Sequence, residues 1–277
     1  MKKTLLILSA SAFLAACQAN ETPKNEESNV SSEAVSSSEV IETESSSETA
    51  TVESTIEAEV AAYEYQINPD IFTVVPLADA DTEVVLLTFD DSPQPPDSQT
   101  LEIAQTVKEK GANAIFFVMG QFLESEESRA IIKEVSDMGF EIGNHSYSHP
   151  DLASISYEEQ LEEIIATNDA VEEITGKRPR FFRAPYGSYN TDTVAISELE
   201  NMTLMNWTYG YDWVDGYMEE TALADIMINA PELGSGGNLL MHDRPWTAAA
   251  IGTIIDGLRA QGYEMVDPKL IESPEEE

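Results

Sequence analysis

The chain has 277 residues, enough for one or two domains. Its 52 Asp and Glu against 14 Lys and Arg argue against a nucleic-acid partner, whose phosphates need a basic face. A single cysteine, Cys17, excludes an internal disulfide and any cysteine-built zinc finger.

Residues 1–16 read as a signal segment. Lys2 and Lys3 give a positive start, and the apolar run from Leu5 to Ala16 is too short to span a bilayer. The run ends Leu14-Ala15-Ala16-Cys17, which resembles the lipobox of bacterial lipoproteins. That resemblance implies cleavage before Cys17 and a lipid on its thiol, tethering the chain to the outer face of the cytoplasmic membrane, at the cell surface. Residues 17–62 are rich in Ser, Glu and Thr and bury too little apolar surface to offset their ordering entropy, so a disordered, extended linker is expected there. Residues 63–82, with Pro69 and Pro76, are expected to be an approach segment on the domain edge. Residues 83–270 form the expected catalytic domain, and 271–277 an acidic tail.

Within 83–270 strands and helices alternate. Residues 84–89 (VVLLTF) are an apolar run ahead of Pro93, the pattern of a buried strand. A helix is expected over 98–110, with Leu101, Ala104 and Val107 at helical spacing and Gly111 as its stop. Strand 114–119 follows, then helix 125–138 between Ser125 and Gly139, strand 140–143, and a long helix 157–174 ahead of Gly176. The later pairs are strand 180–183 with helix 191–199, strand 202–207 with helix 221–229, and strand 238–241 with helix 247–260, before a last strand 264–266. Strands joined by helices on short connections mean a parallel sheet. The expected fold is α/β, a distorted (β/α) barrel of about seven parallel strands, smaller than the eightfold form.

Barrels of this kind carry their sites at the carboxyl ends of the strands. Asp90 and Asp91 follow the first strand, and two adjacent carboxylates repel unless a cation lies between them. His145 and His149 follow the third, Arg183 and Tyr186 the fourth, Asp212 and Trp213 the fifth, and His242 and Asp243 the sixth. All 3 histidines of the chain thus fall on one rim. Two imidazoles spaced like His145 and His149 can share one metal, and with one carboxylate they give the open three-ligand pattern of catalytic zinc. Imidazole donors favour Zn²⁺ or another late transition ion over Mg²⁺ or Ca²⁺.

The stretches TFDDSP, HSYSH, RAPYG, YDW and LLMHD, in that order between residues 83 and 267, resemble the motifs of the polysaccharide deacetylase family (the NodB homology domain of carbohydrate esterase family 4). The resemblance implies a metal-dependent hydrolase of N-acetyl or O-acetyl groups on a glycan. It implies that Asp91, His145 and His149 ligate Zn²⁺, or Co²⁺, Mn²⁺ or Ni²⁺ in its place, and that Asp90 is the base. Arg183 would orient Asp90 through a bidentate pair, and His242 would be the general acid. Asp212 would tune the cluster around Arg183 and His242. The backbone N–H of Tyr186, beside Pro185, would meet the oxyanion, Leu240 would line the acetyl-methyl pocket, and Trp213 would wall the groove. The expected partner is an acetylated polysaccharide, first the N-acetylglucosamine units of peptidoglycan or a chitin-type polymer, with O-acetyl xylan as runner-up. A monomer is expected. A retired, glycan-binding version of the fold would lack a ligand, the base or the acid, and none is lacking. A metal-dependent phosphatase would want more cations on the rim than Arg183 and Arg244. The chain departs from the family at Ser92, where glycine is usual, predicting an altered turn. It departs again at Tyr209, where an aspartate is usual, predicting altered tuning of His242.

Overall fold

The computed structural model describes residues 63–274. The expected signal segment, Cys17 and the linker to residue 62 lie outside the described residues, as do residues 275–277.

The chain opens with two short strands, β1 (Tyr65–Ile67) and β2 (Val74–Pro76), paired antiparallel. The main sheet is built from β3 (Val84–Ser92), β4 (Ala114–Val118), β5 (Glu141–Asn144), β6 (Phe181–Phe182), β7 (Thr203–Leu204), β8 (Gly237–His242) and β9 (Glu264–Met265). Its helices are α1 (Thr100–Glu109), α2 (Glu126–Asp137), α3 (Tyr157–Thr175), α4 (Thr191–Leu199), α5 (Glu220–Asn229) and α6 (Pro245–Ala260). The seven-stranded sheet runs β7-β6-β5-β4-β3-β8, every pairing parallel. Val85 pairs with Gly237 of β8 and with Met265 of β9, so β9 takes the flank of β3 that β4 takes from Leu87 onward. After β7 the chain crosses to the other edge, where Thr208 N–H donates to Asn238 at 2.8 Å and Leu240 N–H to Tyr209 at 2.9 Å. The sheet therefore curls into a distorted (β/α) barrel.

Strand β3 shows why this sequence folds this way. Val85, Leu87 and Phe89 face outward into a cluster with Ile103, Val107, Ile251 and Ile255 of the flanking helices. Val84 and Leu86 face inward with Ile115, Phe117, Phe181 and Met205. Burial on both faces is the reason the strand reads as an unbroken apolar run. Helix α3 starts at a capping box of Ser156 and Glu159 and stops at Gly176, whose φ of 75° suits glycine.

Three expectations are corrected. Residues 63–82 are not an edge segment: Tyr65, Ile67 and Val74 enter the inner cluster and plug the barrel beneath Val84. The chain past 270 also belongs to the domain as far as it is described, since Ile271 and Ser273 are buried and Glu272 N–H donates to Tyr65 at 2.8 Å. The strand expected over 202–207 shortens to Thr203–Leu204 because the Met205 and Asn206 carbonyls turn to accept from Arg183.

Candidate active site

The site starts from an irregularity in β3. Phe89 pairs with Phe116, but Ser92 pairs with Val118, so one extra residue is inserted on β3. Such a bulge interrupts the alternation of side chains. Asp91 absorbs it with φ 59°, a left-handed conformation that aspartate tolerates better than most residues. As a result Asp90 and Asp91, neighbours in sequence, line the same cavity. Ser92, where an altered turn was expected, is not itself strained: the left-handed angle falls on Asp91 and not on Ser92.

Asp91 Oδ1 lies 3.9 Å from His145 Nε2 and 3.7 Å from His149 Nε2. One donor atom from each of these residues falls within 4.8 Å of the others. Bonds of about 2.1 Å at tetrahedral angles would set such donors about 3.4 Å apart, so both distances from Asp91 Oδ1 are within a few tenths of an ångström of that spacing. His145 Nδ1 donates to the Arg183 carbonyl at 2.7 Å, which turns the lone pair of Nε2 toward the cluster. Burial, and then the neighbouring His145, lower the pKa of His149, favouring the neutral imidazole a metal requires. Arg244 Nη2 stands 3.4 Å from Asp91 Oδ2, leaving Oδ1 for the histidines. The donor set and its spacing fit a divalent transition ion.

Asp90 and Arg183 flank this cluster. Arg183 is fully buried and lies over the Phe117 ring at 4.4 Å. Its contact with Asp90 is single rather than bidentate: Nη1 donates to Asp90 Oδ1 at 2.8 Å and to Thr88 Oγ1 at 2.7 Å. Nη2 donates instead to the Asn206 carbonyl at 2.8 Å and to Asn238 Oδ1 at 3.1 Å. Burial pulls the Arg183 pKa down against the opposing charge of Asp90. The second oxygen, Asp90 Oδ2, remains on the cluster side, 3.6 Å from His145 Nε2.

Across the cavity stands His242. Asp212, fully buried, accepts from His242 Nδ1 at 2.8 Å and, through its other oxygen, from His242 N–H at 2.5 Å and Thr247 Oγ1 at 2.9 Å. Asp212 was expected to serve Arg183 as well; its side chain serves His242 and Thr247, and Arg183 is caged by other residues. Burial works to lower the His242 pKa, but the Asp212 hydrogen bond and the charges of Asp212, Asp90 and Asp91 outweigh it and leave the pKa raised. Tyr209 points away, its hydroxyl donating to the Met227 carbonyl at 2.7 Å, so the missing aspartate leaves His242 with Asp212 as its carboxylate partner.

Asp90, Asp91, His145, His149, Tyr186, Trp207, Trp213, Leu240 and His242 line one cavity of about 370 Å³. Tyr186 takes φ 58° and sets its ring edge-on to His149 at 4.6 Å, with Pro185 buried beside it. Trp213 stands edge-on to His242 at 5.1 Å. A larger cavity of about 650 Å³ opens by Arg178, Arg180 and Lys269, but its arginines are already paired with Glu200 and Glu141 and it holds none of this chemistry. Sequence reasoning missed Trp207, Thr88, Asn206, Asn238 and Thr247. Of these only Thr88 carried a signal, standing two residues before Asp90 on the same face of a strand.

Residues 78–205 match the sequence profile described as Polysaccharide deacetylase. Among curated proteins, the chain is 35% identical over 198 residues to the peptidoglycan-N-acetylmuramic acid deacetylase PdaC of Bacillus subtilis, covering 70% of this chain and 40% of PdaC. It is 29% identical over 199 residues to a peptidoglycan-N-acetylglucosamine deacetylase of Bacillus cereus, covering 69% and 70% of the two chains. The chain thus spans well under two thirds of PdaC. The solved structure of PdaC superposes with a TM-score of 0.60 at 33% identity, over 69% of this chain and 90% of that one. A wild-type CE4-family pseudoenzyme from Bacillus anthracis superposes with a TM-score of 0.61 at 28% identity, over 68% and 67%. With these matches and the same barrel, the chain belongs to the polysaccharide deacetylase family, carbohydrate esterase family 4.

Proposed function

We propose that this protein is a metal-dependent hydrolase that removes acetyl groups from the N-acetylated sugars of peptidoglycan, N-acetylglucosamine units first. The observation that carries this reading is that a free carboxylate oxygen, Asp90 Oδ2, and the imidazole of His242 border the same cavity as the Asp91–His145–His149 donors. Asp91, His145 and His149 would hold the ion, taken to be Zn²⁺, with Co²⁺, Mn²⁺ or Ni²⁺ able to replace it. When bound, a divalent ion supplies a Lewis acid that makes water more acidic and polarises the acetyl carbonyl.

The remaining steps belong to the chain's own side-chain and backbone groups. Asp90 takes the proton of the attacking water on Oδ2, while Oδ1 stays on Arg183. The Tyr186 backbone N–H donates to the oxyanion that forms as the carbonyl becomes tetrahedral. An amine leaves poorly without a proton, and His242 provides it from Nε2, since Nδ1 is engaged by Asp212. Leu240 lines the acetyl methyl, and Trp207, Trp213 and Tyr186 wall the sugar.

The substrate class rests on the relatives named for peptidoglycan. A lipid on Cys17 and a linker over 17–62 would tether a monomeric catalytic domain at the outer face of the membrane, within reach of the wall. The pseudoenzyme relative raises the alternative of a retired binding fold, but ligands, base and acid are all present in this chain.

The test is acetate release by zinc-loaded protein from peptidoglycan, chitin oligomers and acetylated xylan. Release from the first two is expected to exceed that from xylan. No release from any of them, with zinc demonstrably bound, would refute the catalytic reading.

A further inference from the structure

His145 and His149 are held in different ways. His145 is buried, its backbone N–H donating to Val118 at 2.9 Å and its ring to Arg183 at 2.7 Å. His149 sits past the end of β5 on a loop, with φ 63° and a side chain 21% exposed. Its own backbone N–H reaches only Ser146 Oγ, at 3.1 Å. The position of this second imidazole therefore depends on what fixes the loop.

The loop is fixed in part from α3. Glu163 Oε2 accepts from the backbone N–H of Tyr147 at 2.8 Å and of Ser148 at 2.7 Å, and Oε1 accepts from Ser148 Oγ at 2.5 Å. Consecutive backbone N–H groups converging on one carboxylate form an anion nest. Among the described residues no cation is paired with Glu163, so the loop donors are its partners. The other ties leave the 147–148 amides to Glu163: Ser146 N–H goes to Asn144 Oδ1 at 2.7 Å, and the Ser146 and Tyr147 carbonyls accept from Gly120 and Gln121, both at 3.0 Å.

We infer that Glu163 is a positioning residue for the metal site, holding the 146–149 loop so that His149 Nε2 faces Asp91 and His145. It touches neither substrate nor ion. Without its carboxylate the two amides and the Ser148 hydroxyl turn to water, the left-handed angle at His149 loses its support, and the third donor drifts. Outer residues that orient metal ligands change affinity by about 10- to 100-fold when removed. The inference rests on the metal reading above, and the test separates the two.

The full chain is stripped of metal, and Zn²⁺ affinity is measured by competition with a chromogenic chelator for wild type, Glu163→Gln, Glu163→Ala and His149→Ala. Unfolding of each is followed with and without zinc. Wild-type binding that His149→Ala abolishes establishes the site. Glu163→Ala is then expected to weaken Zn²⁺ binding about 10- to 100-fold, and Glu163→Gln, which keeps one acceptor oxygen, less. A purely structural Glu163 would lower the melting temperature of the metal-free protein while leaving Zn²⁺ affinity and the zinc-induced rise unchanged. That result, with wild type binding normally, would overturn the inference alone. A wild-type chain that does not bind Zn²⁺ would overturn it together with the metal site.

Discussion

Replacing Asp212 with Asn isolates what its charge does for His242. The carboxylate is fully buried and accepts three hydrogen bonds, two of them from His242. Asn keeps the shape. Its single oxygen can still accept from His242 N–H and Thr247, so its amide nitrogen must face His242 Nδ1. That nitrogen is a donor and suits only a ring unprotonated at Nδ1. The variant therefore disfavours the imidazolium twice, by removing the negative charge and by removing the acceptor. A hydrogen bond to a charged group contributes about 1.5–3 kcal/mol, and about 1.4 kcal/mol is tenfold in protonated His242. The assay is acetate release against pH with zinc saturating. A raised folded-state pKa means that His242 stays an acid above the ordinary histidine range and fails as pH rises through the raised value. The stability it contributes has the same sign: present below the unfolded pKa near 6.5, and lost as pH rises through the folded one. Asp212→Asn should move the alkaline limb to lower pH and cut the rate on that limb about 10- to 100-fold, with zinc affinity unchanged. An alkaline limb that does not move would refute either His242 as the acid or Asp212 as its partner.

Other outcomes follow from the same geometry. Asp90→Asn should lower turnover by about 10²- to 10⁴-fold, the range for a lost general base, while zinc titration still reads one bound ion. Loss of the ion would instead make Asp90 a ligand. His149→Ala should abolish the zinc-induced rise in melting temperature, which for wild type at a hundredfold excess over Kd corresponds to about 2.7 kcal/mol. Arg183→Lys keeps the charge but cannot span Asp90, Thr88, Asn238 and the Asn206 carbonyl. At about 3 kcal/mol for disrupting a buried ion pair, differential scanning calorimetry should read a drop of about 6–12 °C together with lost turnover.

The parts of this molecule that the sequence shows plainly are those built from neighbours in the chain. Strand β3 is legible because both its faces are buried, and the helices because their caps, such as Ser156 and Gly176, adjoin them. The site motifs are legible because each side chain follows a strand end. What escapes is assembled from distant residues. The cage of Arg183 draws Thr88 from 95 positions away and Asn238 from 55. Glu163 meets Tyr147 across 16 positions, from a helix whose own pattern explains it as solvent-facing. The β1–β2 plug was hidden because strands of three residues with prolines nearby show no period to read.

The site's backbone explains why even the legible residues gave no hint of their geometry. Asp91, Ser146, His149 and Tyr186 all hold left-handed angles, φ 58–63°, without being glycine. Each such residue costs about 1–3 kcal/mol and persists only where its surroundings over-determine it. The surroundings here do so. Asp91 is clamped between ladder pairs on β8 and β4, His149 hangs on the loop tied to Glu163, and Tyr186 lies in a turn closed by Gly187 N–H to Ala184 at 3.0 Å. In a regular strand or helix, successive side chains diverge by the period of that structure. Left-handed residues break the period, and that is how two sequence-adjacent aspartates, and two histidines separated by a short loop, come to face one point. The barrel supplies the rigidity that holds these angles, and the angles supply the convergence that the chemistry needs.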